Sequence, residues 1–285
     1  MTMRGPNLFI VGAPKAGTTS LYHYLADDAR IFFPQIKEPH FFLSAPSRVD
    51  IDKETYVGLY TSGQHAAYRG DASPFYLWDP QAAAKIRRWE PEAKAIILLR
   101  DPIARAYSHY WMNVVSGVQR RTFLSALVED MSSKVKGFKI SHLYVECGQY
   151  AEQVKRYMDE FGMSNVLILE SSELLEKPDA IMSQIYEFLG LALERGIVAS
   201  ELYNQALVPR NGMARILLNA ERTRAVVKRI VPERIKLSLR PVVFSSRVPP
   251  IDDKAARLLQ TIFRPEVARL REITGRKLQS LTERW

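Results

Sequence analysis

Two hydrophobic rhythms alternate along this chain. The first is a short, unbroken apolar run. Asn7–Val11 ("NLFIV"), Lys94–Arg100 ("KAIILLR") and Asn165–Glu170 ("NVLILE") have this form and read as strands covered on both faces. Ile31–Phe33 and Ala67–Gly70 are shorter strand candidates. The second rhythm repeats every three or four residues and predicts helices over Thr18–Asp27, Asp52–Tyr60, Thr122–Met131, Ser141–Cys147, Tyr150–Phe161 and Asp179–Leu189, the last stopped by Gly190. Asp79 is placed to cap a helix starting at Pro80 and running to Trp89. Asp101 is the N-cap, and Pro102 the first residue, of a helix through "IARAYSHYWMNV". Beyond Asn211 the chain reads as mainly helical, with a final helix pair from Asp252 to Trp285. Strands alternating with helices in this way predict an α/β fold around a mainly parallel sheet.

Length and charge narrow the picture. The chain has 285 residues, and the expectation is one domain over 1–285. The Pro-rich Ser245–Asp253 then joins a helical tail, about 252–285, to the same core. No run of 18 apolar residues is present, and the opening residues lack the apolar region of a signal peptide. With a single cysteine, Cys147, no intramolecular disulfide can form, and a cytoplasmic location is expected. The formal charge of +9 favours an anionic partner, and most of it is local: Leu207–Arg247 carries ten Lys or Arg against two Glu. Within it, Met213–Val231 places Met213, Ile216, Leu217, Ala220, Val227 and Ile230 on one helical face with basic groups opposite. That face suits packing on the core, a rim that attracts anions, or weak contact with a membrane surface. Nucleic acid is not expected, because no recognition motif accompanies the charge.

The chemistry begins at "VGAPKAGTTS", where a strand meets a helix. Gly12 and Gly17 have the spacing of the G-x-x-x-x-G-K-S/T phosphate loop, but Thr18 stands in the lysine position and the lysine, Lys15, lies inside the loop. Such a turn aims backbone N–H groups and the positive end of a helix dipole at an anion. An ordinary helix cap on a flexible turn would use the same glycines and hydroxyls; the preceding strand and Lys15 favour the anion site. A triphosphate enzyme would also want a carboxylate at a strand end to hold Mg²⁺. The best strand end here, "AIILLRD", offers Arg100 instead, with Asp101 spent on the next helix. A metal-free site built from cations and backbone suits a sulfuryl group, which needs less neutralisation than a phosphoryl group.

These residues carry a family resemblance. "GAPKAGTTSL" resembles the 5′-phosphosulfate loop of sulfotransferases that use 3′-phosphoadenosine 5′-phosphosulfate (PAPS), and "ILLRDPIARAYSHY" resembles the segment that holds the donor's 3′-phosphate. The resemblance implies a P-loop-like three-layer fold, with Lys15, Ala16, Gly17, Thr18, Thr19 and Ser20 around the phosphosulfate, Arg100 and Ser108 on the 3′-phosphate, and no metal. "QIKEPHFF", Gln35–Phe42, resembles the K-E-P-H-F-F motif of the glycan-modifying, heparan-sulfate type. It implies Glu38 as general base, Lys15 at the leaving phosphate, and Lys37, His40 and Phe41 at the acceptor, with His40 as the rival base. "RGDASPFYLWDP" resembles the acceptor segment K-S/T-P-x-Y and offers Asp71, Ser73 and Pro74, but Ala72 stands where a lysine often does. That departure weakens a glycosaminoglycan acceptor and leaves a lipid or secondary-metabolite hydroxyl open. For the loop that closes on the 3′-phosphate, Arg247 in "SSRVPPID" and Arg210 in "NQALVPRNG" compete. Two rival functions are a small-molecule kinase, requiring ATP and Mg²⁺, and a non-catalytic anion- or membrane-surface-binding protein.

Overall fold

The computed structural model describes residues 3–44, 51–193, 208–209, 244–245, 247–283 and 285. Five parallel strands form one sheet: β1 (Leu8–Gly12), β2 (Ile31–Phe32), β3 (Tyr68–Asp71), β4 (Lys94–Leu99) and β5 (Val166–Glu170), in the order β2-β3-β1-β4-β5. All five residues of β1 and the last five of β4 are buried. Because successive side chains point to opposite faces, both faces must be covered, which is the three-layer arrangement of a parallel α/β sheet.

The helices are α1 (Thr18–Ala26), α2 (Lys53–Gly58), α3 (Ala82–Trp89), α4 (Pro102–Val115), α5 (Phe123–Ser132), α6 (Tyr150–Phe161), α7 (Ser171–Glu176), α8 (Pro178–Leu189) and α9 (Asp253–Thr274). Caps set most of their starts. The Asp101 carboxylate accepts from the Ile103 and Ala104 N–H groups, Thr122 accepts from Ser125, and Asp252 accepts from Lys254 and Ala255. The core falls into two clusters. One surrounds the sheet; the other lies under α4 and gathers Tyr110, Val114, Phe123, Tyr144 and Val208. Helix α9 bridges them, with Leu259 and Phe263 in the second cluster and Val267 and Leu270 in the first.

Three expected elements differ. Ser141–Cys147 is not an α-helix: Leu143 takes a left-handed backbone (φ 56°), and the His142 and Tyr144 N–H groups donate to the Asp130 carboxylate at 2.8 and 2.9 Å. Only a 3₁₀ turn, Glu146–Gly148, remains. The final helix pair is one helix, α9, closed by left-handed Gly275, followed by a 3₁₀ turn at Gln279–Leu281. The helix expected from Pro80 starts at Ala82, because the Asp79 carboxylate takes the Ser44 and Gln81 N–H groups and holds the chain in a turn. Short α7 carried no sequence expectation. The basic stretch Met213–Val231 and Arg210 lie outside the described residues.

Candidate active site

The connection after β1 leads through α1 to β2 on one side, whereas β4 lies on the other side of β1. The crevice beyond the carboxyl ends of β1 and β4 is therefore the point where strand order reverses, the usual ligand position in open α/β sheets. The loop from Ala13 to Gly17 sits there. It is tied to β4 by the Ala13 N–H, which donates to the Leu98 carbonyl at 2.7 Å, and by the Arg100 guanidinium, which donates to the Lys15 carbonyl at 3.0 Å.

The loop can follow this path because of its glycines. A Cβ on Gly12 would lie 2.5 Å from the Leu77 Cβ, and Gly17, the N-cap of α1, has φ 98°. Lys15 is left-handed as well, at φ 70°, without the freedom of glycine. Non-glycine residues held in this region cluster at functional sites. The Lys15 ammonium reaches the Met112 sulfur on α4 at 3.6 Å, and burial, then the Arg100 charge, lowers its pKa. A site with stacked cations and a disfavoured ammonium is prepared for an anion. The N-terminal turn of α1 adds N–H groups that have no acceptor within the helix, with Thr18 and Ser20 buried and Thr19 half-buried beside them.

Opposite this loop lies Gln35–Phe42. Lys37 donates to Thr19 Oγ1 at 3.0 Å and to Glu38 Oε1 at 2.7 Å, so it joins the two loops. His40 Nε2 stands 3.6 Å from Glu38 Oε2. Glu38 and His40 are both left-handed, at φ 59° and 57°. What holds them is the segment after β3. The His40 N–H donates to Ser73 Oγ at 3.2 Å, and the Ser73 hydroxyl donates to Asp71 Oδ1 at 2.7 Å. Tyr56 and Tyr76 donate to Asp71 Oδ2 at 2.6 and 2.9 Å. Burial pushes the Asp71 carboxyl up to about 6, against the three hydrogen bonds that favour its charged form.

The expected site residues thus divide. Thr19, Lys37, Glu38 and His40 form one linked constellation, with Lys15 within charge range of Lys37 and Glu38 and Arg100 bonded to the Lys15 carbonyl. Ser108 sits on α4 two turns beyond Arg100, half-buried. Asp71, Ser73 and Pro74 are buried, and Ser73 and Asp71 support His40 through the Ser73 hydroxyl. The Phe41 ring stacks on Tyr56, with centroids 4.1 Å apart, and meets Trp89 edge-on; it belongs to the packing side of its loop. Arg247 is exposed, and its side chain makes no hydrogen bond or ion pair among the described residues.

Four residues near the site carried no sequence expectation. Phe138 lies against His40, with ring centroids 4.7 Å apart, and Phe75 packs on Phe138 at the same distance. Met112 faces Lys15. Arg105, on α4, is fully buried. A polar residue inside an apolar helical face was the available signal for Arg105; nothing local marks the other three.

Among the described residues, no group of three or more His, Cys, Asp or Glu could hold a metal ion. The donor set is instead cationic, and it fits a phosphosulfate nucleotide through the loop amides, Lys15 and Arg100.

Comparison with known proteins follows this geometry. A family model described as a sulfotransferase domain matches residues 5–207. Human heparan sulfate glucosamine 3-O-sulfotransferase 3B1 is 24% identical over 190 residues, 65% of this chain and 46% of that protein. The chain thus spans about half the length of such relatives. The crystal structure of a sulfotransferase from Alicyclobacillus acidocaldarius superposes with a TM-score of 0.74 at 27% identity, covering 97% of this chain and 98% of that one. A mouse sulfotransferase, SULT7A1, complexed with PAP shares the fold: TM-score 0.53, 16% identity, 96% and 89% covered.

Proposed function

The chain belongs to the sulfotransferase-domain family, and we propose that it is an enzyme that moves the sulfuryl group of PAPS to an acceptor hydroxyl. The observation that carries this reading is a link across the site: Lys37 bonds Thr19, in the first turn of α1 directly after the donor loop, and Glu38 of the acceptor loop at once. It puts a basic carboxylate beside an anion cradle, the arrangement that in-line transfer to a hydroxyl requires.

PAPS, when bound, supplies the sulfuryl group and a phosphate leaving group. The loop amides and Thr18–Ser20 hold its 5′ end, and Arg100 and Ser108 receive the 3′-phosphate. Lys15 meets the charge that builds on the departing phosphate oxygen. Glu38 takes the acceptor proton through the oxygen that faces His40, while Lys37 holds the other oxygen and fixes the carboxylate's direction. The buried chain from His40 through Ser73 to Asp71 maintains the left-handed turn on which Glu38 stands. As in phosphoryl transfer, positioning and charge stabilisation supply the rate. The acceptor is a hydroxyl compound. The Phe75–Phe138 wall and the buried Ala72, where related segments carry lysine, favour one with apolar surface beside the hydroxyl.

We read the whole chain as one catalytic unit and assign it to the cytoplasm. A single cysteine suits a reducing compartment, and burial raises the Cys147 thiol to about 12, as a packed, unreactive side chain. Among the described residues no helix is long and apolar enough to cross a membrane.

A thermal-shift comparison tests the reading. Adenosine 3′,5′-bisphosphate should raise the melting temperature without metal, and ATP with Mg²⁺ should not. The opposite result would favour a kinase. No shift with either ligand, together with liposome binding that survives Lys15→Ala, would favour a non-catalytic surface-binding protein.

A further inference from the structure

We propose that Arg105 is a built-in counter-charge for the donor's phosphate groups, a positioning residue whose electrostatic partner is the bound anion. The inference rests on the donor assignment above.

Arg105 is 0% exposed. Its guanidinium donates to the Tyr144 carbonyl and faces His109 Nδ1 at 3.4 Å, and its Nε has no hydrogen-bond partner. Among the described residues no carboxylate pairs with it. Nearby acids are committed elsewhere. Asp101 caps α4, the Asp130 carboxylate accepts from two backbone N–H groups, and Glu146 pairs with Lys136 at 2.7 Å. His109 offers no charge either. Arginine only donates, so His109 Nδ1 accepts and the ring is neutral, and burial holds its pKa well below the usual value. A buried, unpaired cation is costly to keep.

Its place on α4 suggests what offsets that cost. Met112, which touches the Lys15 ammonium, lies seven residues on and so on nearly the same line of the helix. Ser108 is its neighbour three residues on. Arg105 thus stands under the crevice that holds Lys15, Arg100 and Ser108, and its charge adds to those of burial and Arg100 in disfavouring the Lys15 ammonium. With no anion bound, these cations repel one another in a poorly solvated site. A bound anion attracts each of these cations and so offsets their mutual repulsion. A second buried arginine gives the contrast. Arg69 is 5% exposed and among the described residues also lacks a carboxylate partner, but it bonds the Gly5 and Ala66 carbonyls, away from the crevice.

The test compares the full chain with Arg105→Met, Arg105→Lys and Arg69→Met by chemical denaturation and by titration with adenosine 3′,5′-bisphosphate. Arg105→Met should unfold at the same or a higher denaturant concentration than the parent without ligand, yet bind the bisphosphate at least about tenfold more weakly, an effect of ~1.4 kcal/mol. Arg105→Lys, which keeps the charge, should bind within about threefold of the parent. Arg69→Met should lose stability and keep its affinity. Unchanged affinity in Arg105→Met, or affinity lost as fully in Arg105→Lys, would overturn the proposal. If Arg105→Met does not fold, the lysine variant decides alone: tenfold weaker binding with the charge retained sinks the idea. Failure of the parent itself to bind would instead overturn the donor assignment.

Discussion

The two loops that meet at Lys37 are built by opposite means. The donor loop, Ala13 to Gly17, is short, runs directly from β1 into α1, and takes its shape from two glycines and contacts with the neighbouring strand end. The acceptor loop, Gln35–Phe42, has no regular structure of its own. Its left-handed Glu38 and His40 rest on Ser73, Asp71, Tyr56 and Tyr76, from segments 16 to 38 residues away in the chain. One side of the reaction is held by local geometry and the other by a buried polar cluster. Damage to the first should therefore appear in donor binding, and damage to the second in the rate and its pH dependence.

The largest effects should come from the reacting groups. Lys15→Ala should abolish measurable turnover, and Glu38→Gln, by loss of the base, should cost about 10²–10⁴-fold. The comparison sharpens if Glu38→Gln still shows the parent's thermal shift with adenosine 3′,5′-bisphosphate. Near-normal turnover in Glu38→Gln with loss in His40→Ala would move the base to His40.

Arg100→Ala comes next. It should raise KM for PAPS about 10–100-fold, the effect of losing charge-assisted hydrogen bonds to phosphate, while the acceptor KM stays put. An equal rise in both KM values would break the division between the loops.

Asp71→Asn probes the support beneath the acceptor side. Burial raises Asp71 from about 3.8 to about 6 in the folded protein, so the folded state binds its proton more tightly than the unfolded state does. The stability this contributes is full below pH 4 and is lost as pH rises through 6. Asparagine does not titrate. The variant should start less stable at pH 4, because it cannot satisfy the three hydroxyl donors. It should then gain on the parent by on the order of 2–3 kcal/mol by pH 7, read from denaturation midpoints. A constant gap across that range would remove Asp71 from the pH response.

The smallest effect belongs to the donor loop's hinge. An alanine at Gly17 would meet only ordinary contacts, with Leu98 Cδ2 at 3.6 Å, so its cost comes from φ 98° alone. Stability should fall by about 1–2 kcal/mol in urea denaturation, with donor affinity falling in step.

Local chemistry fixed a large part of this molecule. The apolar runs at Leu8–Val11, Lys94–Leu99 and Val166–Glu170 read as buried strands, and Asp101–Pro102 as a helix start, and each is so in the fold. Lys15 among the glycines and Arg100 at a strand end mark the proposed donor site, because neighbours along the chain build it. Tertiary structure decided the rest. Leu143 breaks an apolar helical pattern because Asp130, twelve to fourteen residues earlier, takes its neighbours' N–H groups. Asp71 and Phe41 serve as supports because Tyr56 reaches both. Arg105 reads as one more helical arginine until the fold closes over it and leaves its charge, among the described residues, without a carboxylate. A sequence records which groups are present and their local spacing; burial and long-range pairing set what each group costs, and those exist only once the chain has folded.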